Sequence, residues 1–246
     1  MPKRRVVVVA WVGLTGSAGA GKDWLCRELA NRWFPVRRVS IADALKRMLI
    51  AMDPYVGGDE RLTTVMERHG GSMEQAKWAC PEIRRLLQRL GTEGGRACLG
   101  ADVWIRTAMM DHGDDDDGDG GGVVLNVVTD VRFPNEAEAL RAAGGVIVHV
   151  TRPGAPPDLH LSGAQARHAS EVAIKDIRPD ITFVNNGDDD EVRRVAVEIS
   201  RKLLGTTSTT TTTTSSTSTM LGVAAVQIAL GLVVVAVCCV IRFSKI

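Results

Sequence analysis

Apolar positions in this chain come as short unbroken runs, and each run hands over to a stretch with helical spacing. The first run, Val6-Val7-Val8-Val9-Ala10-Trp11-Val12, leads through a glycine-rich turn into Trp24-Leu25-Cys26-Arg27-Glu28-Leu29-Ala30, which reads as a helix. The second, Arg37-Arg38-Val39-Ser40-Ile41, runs into a predicted helix over residues 42–49. Residues 123–130 predict a third strand, residues 146–150 a fourth, and residues 180–187 a fifth strand with its turn. A helix is expected from Arg132-Phe133-Pro134 through Leu140, ended by Gly144-Gly145. A final helix over residues 191–204 carries Val192, Val195, Ala196, Ile199 and Leu203 on one stripe. Continuous rather than alternating apolar runs mark strands covered on both faces. Strand and helix alternate, which predicts an α/β fold: five parallel strands between two helical layers, with right-handed crossovers.

Two regions are less regular. In residues 53–80, Pro54, Gly57, Gly58, Gly70 and Gly71 break any long helix, so an irregular lid or substrate-side insertion is expected. A helix opens at Pro81 and reaches Leu90. Gly91-Thr92-Glu93 should interrupt it before residues 94–99 resume, and Asp102 begins another helix. Arg85, Gln88, Thr92, Glu93 and Arg96 recur at three- or four-residue spacing. They make either a solvated helix face or a set of arginines that clamps an anion. Residues 111–122 are acidic and glycine-rich with no apolar anchor, which predicts a disordered loop. A calcium loop would need a ligand spacing and a closing Glu that are absent.

The tail changes the picture. Residues 206–219 contain only Thr and Ser and read as a flexible spacer, roughly 45 Å when extended. Residues 220–241 hold no charge, with Gln227 the one strongly polar side chain, and are long enough to cross a bilayer as a helix. Arg242 and Lys245 follow in a short basic tail, residues 242–246. The expected organisation is a catalytic domain over residues 1–205, a linker, and a single C-terminal membrane anchor. The net charge is +1 over the whole chain. A balance so close to zero predicts neither a nucleic-acid groove nor a polybasic patch. The five cysteines show no C-x-x-C spacing, which fits a reducing compartment. Lys3-Arg4-Arg5 and the apolar run after it imitate a signal peptide, but cleavage there would destroy the glycine loop. The domain is therefore expected to face the cytosol.

The strongest candidate chemistry is Gly16-Ser17-Ala18-Gly19-Ala20-Gly21-Lys22-Asp23, which has the G-x-x-x-x-G-K spacing between a strand and a helix. Glycines allow successive N–H groups to turn toward phosphate oxygens, and the following helix presents its positive end to the same anion. Lys22 then reaches the terminal phosphates. Asp43 and Asp130 each stand at the carboxyl end of a predicted strand, the ligand edge of a parallel sheet. Asp43 either meets a substrate or caps the helix it opens. Asp130 is placed to organise magnesium, directly or through water.

Several motifs together resemble the deoxynucleoside monophosphate kinases of tailed phages and large DNA viruses. They are the glycine loop of residues 13–23, Ile-Ala-Asp-Ala-Leu-Lys (41–46), Leu-Leu-Gln-Arg-Leu-Gly-Thr-Glu (86–93), Asp-Val-Trp-Ile (102–105), Asp-Val-Arg-Phe-Pro-Asn-Glu (130–136) and His-Ala-Ser-Glu (168–171). The resemblance covers roughly residues 6–204. It implies a P-loop NTPase of nucleoside-monophosphate-kinase type with strand order 2-3-1-4-5. It also implies γ-phosphoryl transfer from ATP, with magnesium, to a deoxynucleoside 5′-monophosphate. Lys22, Asp43, Asp130 and Arg132 are then the catalytic candidates. Gly16 through Asp23 and Arg152 would hold ATP. Asp43, Arg85, Gln88, Arg132, Glu136 and Glu171 would contact the acceptor, with Arg167 a further available cation. Asp23 and Asp130 would hold magnesium, most simply through water. For Arg132 the bland alternative is a salt bridge with Glu136. The sequence departs from the family at Trp24, where a hydroxyl is common. That departure leaves an inactive nucleotide-binding scaffold as one alternative, and a kinase of another small acceptor such as dephospho-coenzyme A as another. Whether the domain acts alone or as a homodimer stays open.

Overall fold

The computed structural model describes residues 8–113, 123–154 and 173–207. They divide into two compact units, one from Met1–Val39 with His112–Ile246 and a smaller one from Ser40–Asp111. The chain leaves the sheet after its second strand and folds the helical unit before returning.

The larger unit holds the sheet. Its strands are β1 (Val8–Thr15), β2 (Val36–Val39), β3 (Val123–Val128), β4 (Val146–Thr151) and β5 (Ile181–Val184). All pairs are parallel and the order is β2-β3-β1-β4-β5, as the resemblance implies. β1 is central: Val12 pairs with Val127 on one side and Val146 on the other. The chain moves outward from β1 first one way and then the other, so the loop after β1 lies where the strand order reverses.

Helices cover both faces. On one, α1 (Lys22–Arg32) and the final helix, α9 (Asp189–Thr207), pack Leu25, Cys26, Leu29, Val192, Val195 and Ile199 against Val12, Leu14, Val127 and Phe183. The predicted stripe Val192, Val195, Ala196, Ile199 and Leu203 is fully in this core. Trp24 is drawn to the same side, stacked on Phe183 with ring centroids 6.2 Å apart. On the other face lies α8 (Pro134–Ala142): a Cβ added at Gly13 of β1 would stand 2.8 Å from Leu140 Cδ1. Burial pushes the Cys26 thiol up to about 11, so this core cysteine is an inert thiol.

The smaller unit is helical: α2 (Ala42–Met52), α3 (Leu62–Arg68), α4 (Met73–Ala79), α5 (Pro81–Arg89), a π-helical stretch (Leu90–Arg96), α6 (Ala97–Leu99) and α7 (Val103–Gly113). Its core joins Leu49, Val56, Leu62, Val65, Met73, Ala76 and Ile83. Two expectations fail here. Residues 53–80 are not irregular, because Gly57 and Gly58 fall between α2 and α3, and Gly70 and Gly71 between α3 and α4, rather than inside the helices. Asp53 also closes α2 in the left-handed conformation, with Thr63 N–H and hydroxyl both donating to its Oδ1. Residues 91–93 do not interrupt the helix either. The turn widens, with Ala97 N–H reaching back to Thr92 O, and the indole of Trp104 donates to Gly91 O at 2.9 Å. Glycine is required where the Trp104 ring lies against the widened turn. α7 continues to Gly113, so residues 111–113 of the predicted acidic loop are helical, and the rest of that loop lies outside the described residues.

Among the described residues no helix is long and apolar enough to cross a membrane. The predicted linker and the segment at residues 220–241 lie outside the described residues.

A Gly to Ala change inside a solvent-facing helix usually stabilises by about 1 kcal/mol. At Gly95 the new Cβ would meet the Trp104 ring at 2.3 Å. Gly95→Ala is therefore expected to destabilise by about 1–3 kcal/mol through overpacking, read as a lower denaturant midpoint. A raised midpoint would show that the ring is not seated there.

Candidate active site

The loop between β1 and α1 closes the carboxyl end of the central strand. Gly16 and Gly21 have φ of +136° and +97°. Neither tolerates a side chain: a Cβ at Gly16 would stand 2.2 Å from Val150 O, and one at Gly21 would stand 2.0 Å from Asn185 Nδ2. The glycine spacing seen in the sequence is thus demanded by close approach of neighbouring strand ends. Lys22 Nζ donates to Gly16 O at 2.7 Å and to Ser17 O at 2.8 Å, so the ammonium lies folded over its own loop. Lys22 opens α1 with no side chain capping the helix, whose positive end faces the glycine loop.

The segment after β3 is tied to both adjoining strands. Thr129 N–H donates to Val39 O and Val131 N–H donates to Leu14 O. Asp130, between them, is half-buried at the carboxyl edge. It lies two residues beyond Val128, the ladder partner of Gly13, just as Thr15 lies two beyond Gly13. Thr15 also pairs with His149 of β4. A polar row, Asp130, Thr15 and His149, therefore crosses three strands beside the glycine loop. The Thr15 hydroxyl is buried and has no hydrogen-bond partner. Burial, with the Lys22 charge adding to it, holds the His149 imidazole below its ordinary pKa, so it is neutral at pH 7.

Arg132 is exposed, beside the start of α8. Glu136 is only 2% exposed. Its Oε2 accepts from the backbone N–H of Arg132 at 2.7 Å and of Phe133 at 3.0 Å. The carboxylate shapes the turn that presents Arg132. Arg152, just past β4, is exposed.

The residues after Lys22 also take different places from those expected. Asp23 Oδ1 accepts from Arg38 Nε of β2 at 3.0 Å, and both side chains are more than half exposed. The pair is exposed on both sides and so weak in water. Trp24 packs against Phe183 on the helix-covered face. Asp130 offers a carboxylate at the carboxyl edge, the hard oxygen donor that suits magnesium. Among the described residues no three acidic, His or Cys side chains converge. An ion here would be held mainly through water and substrate phosphates.

The remaining acceptor candidates lie on the smaller unit. Asp43 sits in the first turn of α2, and Ile41 rather than Asp43 takes the N-cap position. Lys46 Nζ donates to Asp43 Oδ1 at 3.1 Å and lies 3.2 Å from Glu74 Oε1. Burial works against charge on Lys46, but its bonds to Asp43 and Glu74 outweigh it and raise its pKa. Arg85 Nε donates to Glu82 Oε2 at 2.6 Å, and Arg89 pairs with Glu93. Gln88 contributes its carbonyl to the Thr92 hydroxyl. Arg96 donates to Ala101 O. The polar face is thus threaded with local pairs. Glu171 and Arg167 lie outside the described residues.

Sequence reasoning missed Thr15, Arg38, Lys46, His149 and Asn185. The first four sit in recognisable elements but carry no motif of their own. Asn185 reaches the glycine loop from 165 positions away, its Nδ2 donating to Ala20 O at 2.9 Å, and no spacing rule in one sequence signals such a contact.

The deoxynucleotide monophosphate kinase family model matches residues 35–195, which is more than half of the chain and includes the whole smaller unit. The chain is 27% identical over 190 residues to a candidate deoxynucleotide monophosphate kinase of Acanthamoeba polyphaga mimivirus, covering 71% of this chain and 88% of that protein. It is 25% identical over 166 residues to the deoxynucleotide monophosphate kinase of Escherichia phage RB69, covering 67% of this chain and 59% of that one. To the enterobacteria phage T4 enzyme of the same description it is 27% identical over 110 residues, with 45% and 42% covered. The glycine loop lies upstream of the matched family stretch, and its geometry, with Lys22 folded onto Gly16 and Ser17, supports the same chemistry independently. The chain belongs to the deoxynucleotide monophosphate kinase family of phosphotransferases.

Proposed function

We propose that this chain transfers the γ-phosphoryl group of ATP to a deoxynucleoside 5′-monophosphate, giving the diphosphate, and that residues 220–241 tether the enzyme to a bilayer. The observation that carries the reaction is the glycine loop at the carboxyl end of the central strand, with Lys22 Nζ folded onto its Gly16 and Ser17 carbonyls. A phosphate oxygen is a stronger, charge-assisted acceptor than either carbonyl, so Lys22 has every reason to transfer its bonds to the donor. The loop amides and the first turn of α1 cradle the inner phosphates. Phosphoryl transfer rests on positioning and charge neutralisation, and an acceptor phosphate already ionised at neutral pH needs no general base.

That removes the need for Asp43 to take a proton. Paired with Lys46, it serves as an acceptor for a sugar hydroxyl. The exposed Arg85–Glu82 pair is weak in water, and an incoming phosphate dianion can claim Arg85 from it. Arg132 and Arg152 are further cations for the polyanion that forms when two phosphorylated substrates meet, and Gln88 is a contact for the acceptor. Magnesium would be held by Asp130 through water, with the Thr15 hydroxyl nearby, and would supply neutralising charge on the donor phosphates.

The anchor rests on the uncharged length of residues 220–241 and the basic residues after them. ATP and nucleotides are cytosolic, so the kinase faces the cytosol.

The purified chain, supplied with ATP, magnesium and each of the four common deoxynucleoside monophosphates in turn, is expected to release diphosphate from at least one. Turnover of none would refute the acceptor class. Lys22→Ala is expected to lower kcat by about 100-fold or more, since it removes a cation from the transferring group, and steady-state kinetics would show it. Near-normal turnover would displace Lys22 from the reaction. Removal of residues 206–246 should move the protein from the membrane pellet to the supernatant with its turnover kept. A truncated chain that still sediments with membranes would overturn the anchor.

A further inference from the structure

We propose that Asn185 is a positioning residue of the donor site, whose side-chain amide fixes the Ala20–Gly21 peptide so that the Gly21 N–H is turned toward the nucleotide phosphates. This rests on the reading of residues 16–22 as the phosphate loop of the donor.

Asn185 follows β5 directly. Its backbone N–H donates to Thr151 O at 2.7 Å, which seats it at the end of β4. From there its Nδ2 donates to Ala20 O at 2.9 Å. The same Nδ2 abuts Gly21 end-on, where an added Cβ would come within 2.0 Å of Nδ2 and 3.2 Å of Cγ. Asn185 is thus a strut from the sheet edge to the last turn of the loop.

The peptides on either side are already committed. Ala20 N–H donates to Ser17 O, and Gly21 O accepts the Leu25 N–H that begins α1. Only the peptide between them, the Ala20 carbonyl with the Gly21 N–H, has its direction still to be set. Gly19 and Gly21 flank Ala20 with φ of +75° and +97°. Glycine populates both signs of φ at little cost, so this peptide can turn over unless something holds it. In a trans peptide the C=O and the following N–H point opposite ways. Holding Ala20 O on the side of Asn185 therefore points the Gly21 N–H away from it, into the loop that Lys22 closes. Both groups belong to the larger unit, so the strut is complete within it.

Loop amides grip the inner phosphates alike in the bound donor and in the transition state. Losing one such grip weakens donor binding without slowing the transfer step. The test uses the full-length chain and two variants, Asn185→Ala and Asn185→Leu. Leu keeps the volume against Gly21 and carries no donor and no charge. Both variants are expected to raise the ATP KM about tenfold, with kcat within about twofold and the acceptor KM unchanged. An unchanged ATP KM in both would overturn the proposal, as would a Leu variant that behaves as wild type, because filling space would then suffice. A fall in kcat with the acceptor KM moved would mark general damage to the fold and would also overturn it. Should the wild-type chain turn over no acceptor, the proposed reaction fails and ADP binding still decides this point. ADP affinity weakened about tenfold in both variants supports the strut, and unchanged affinity removes it.

Discussion

The close approach of the glycine loop to the ends of its neighbouring strands is the constraint on which the rest of this structure depends. Gly16 lies against the Val150 carbonyl and Gly21 against the Asn185 amide, with no room for a β-carbon at either. This contact requires β4 beside β1 and β5 beside β4, with their carboxyl ends level. The parallel register supplies that alignment, with Thr15 opposite His149 and Val148 opposite Ile181. The helices on both faces in turn let the central strands β1, β3 and β4 be buried. A phosphate site at the end of a sheet is therefore a property of the whole sheet.

Charge is the second theme. Two phosphorylated substrates repel, and the chain offers several cations to offset this. Most of those described are already engaged. Lys22 lies on loop carbonyls, Arg38 on Asp23, Lys46 on Asp43 and Glu74, and Arg85 on Glu82. Engaged cations are held in place without being neutralised for good. Exposed pairs are worth little in water, so a phosphate can take over at small cost. Buried or half-buried carboxylates behave differently. Glu136 is spent on the N–H groups of Arg132 and Phe133 and fixes the shape of that turn.

The strands and the place of the glycine loop were legible in the sequence because they follow from local rules, and the strand order followed from the family resemblance. Unbroken apolar runs mark strands covered on both faces, and G-x-x-x-x-G-K between a strand and a helix has one common use. The same local reading failed where glycine has more than one meaning. Gly91 looked like a helix breaker, and the helix instead continues through a widened turn against Trp104. Gly57, Gly58, Gly70 and Gly71 looked like an irregular insertion and instead separate α2, α3 and α4.

By itself, then, the sequence determined the α/β class and the glycine loop with Lys22 between a strand and a helix, since each depends on residues close together in the chain, and its family resemblance carried the strand order. Only the tertiary structure decided which side chains are already engaged. It turned Trp24 onto Phe183, tied Asp23 to Arg38, gave Glu136 to the backbone, and brought Asn185 to Ala20 across 165 residues. The physical reason is that hydrogen bonds and packing are settled by proximity in space, and chain separation carries almost no information about it once the strands have been placed side by side.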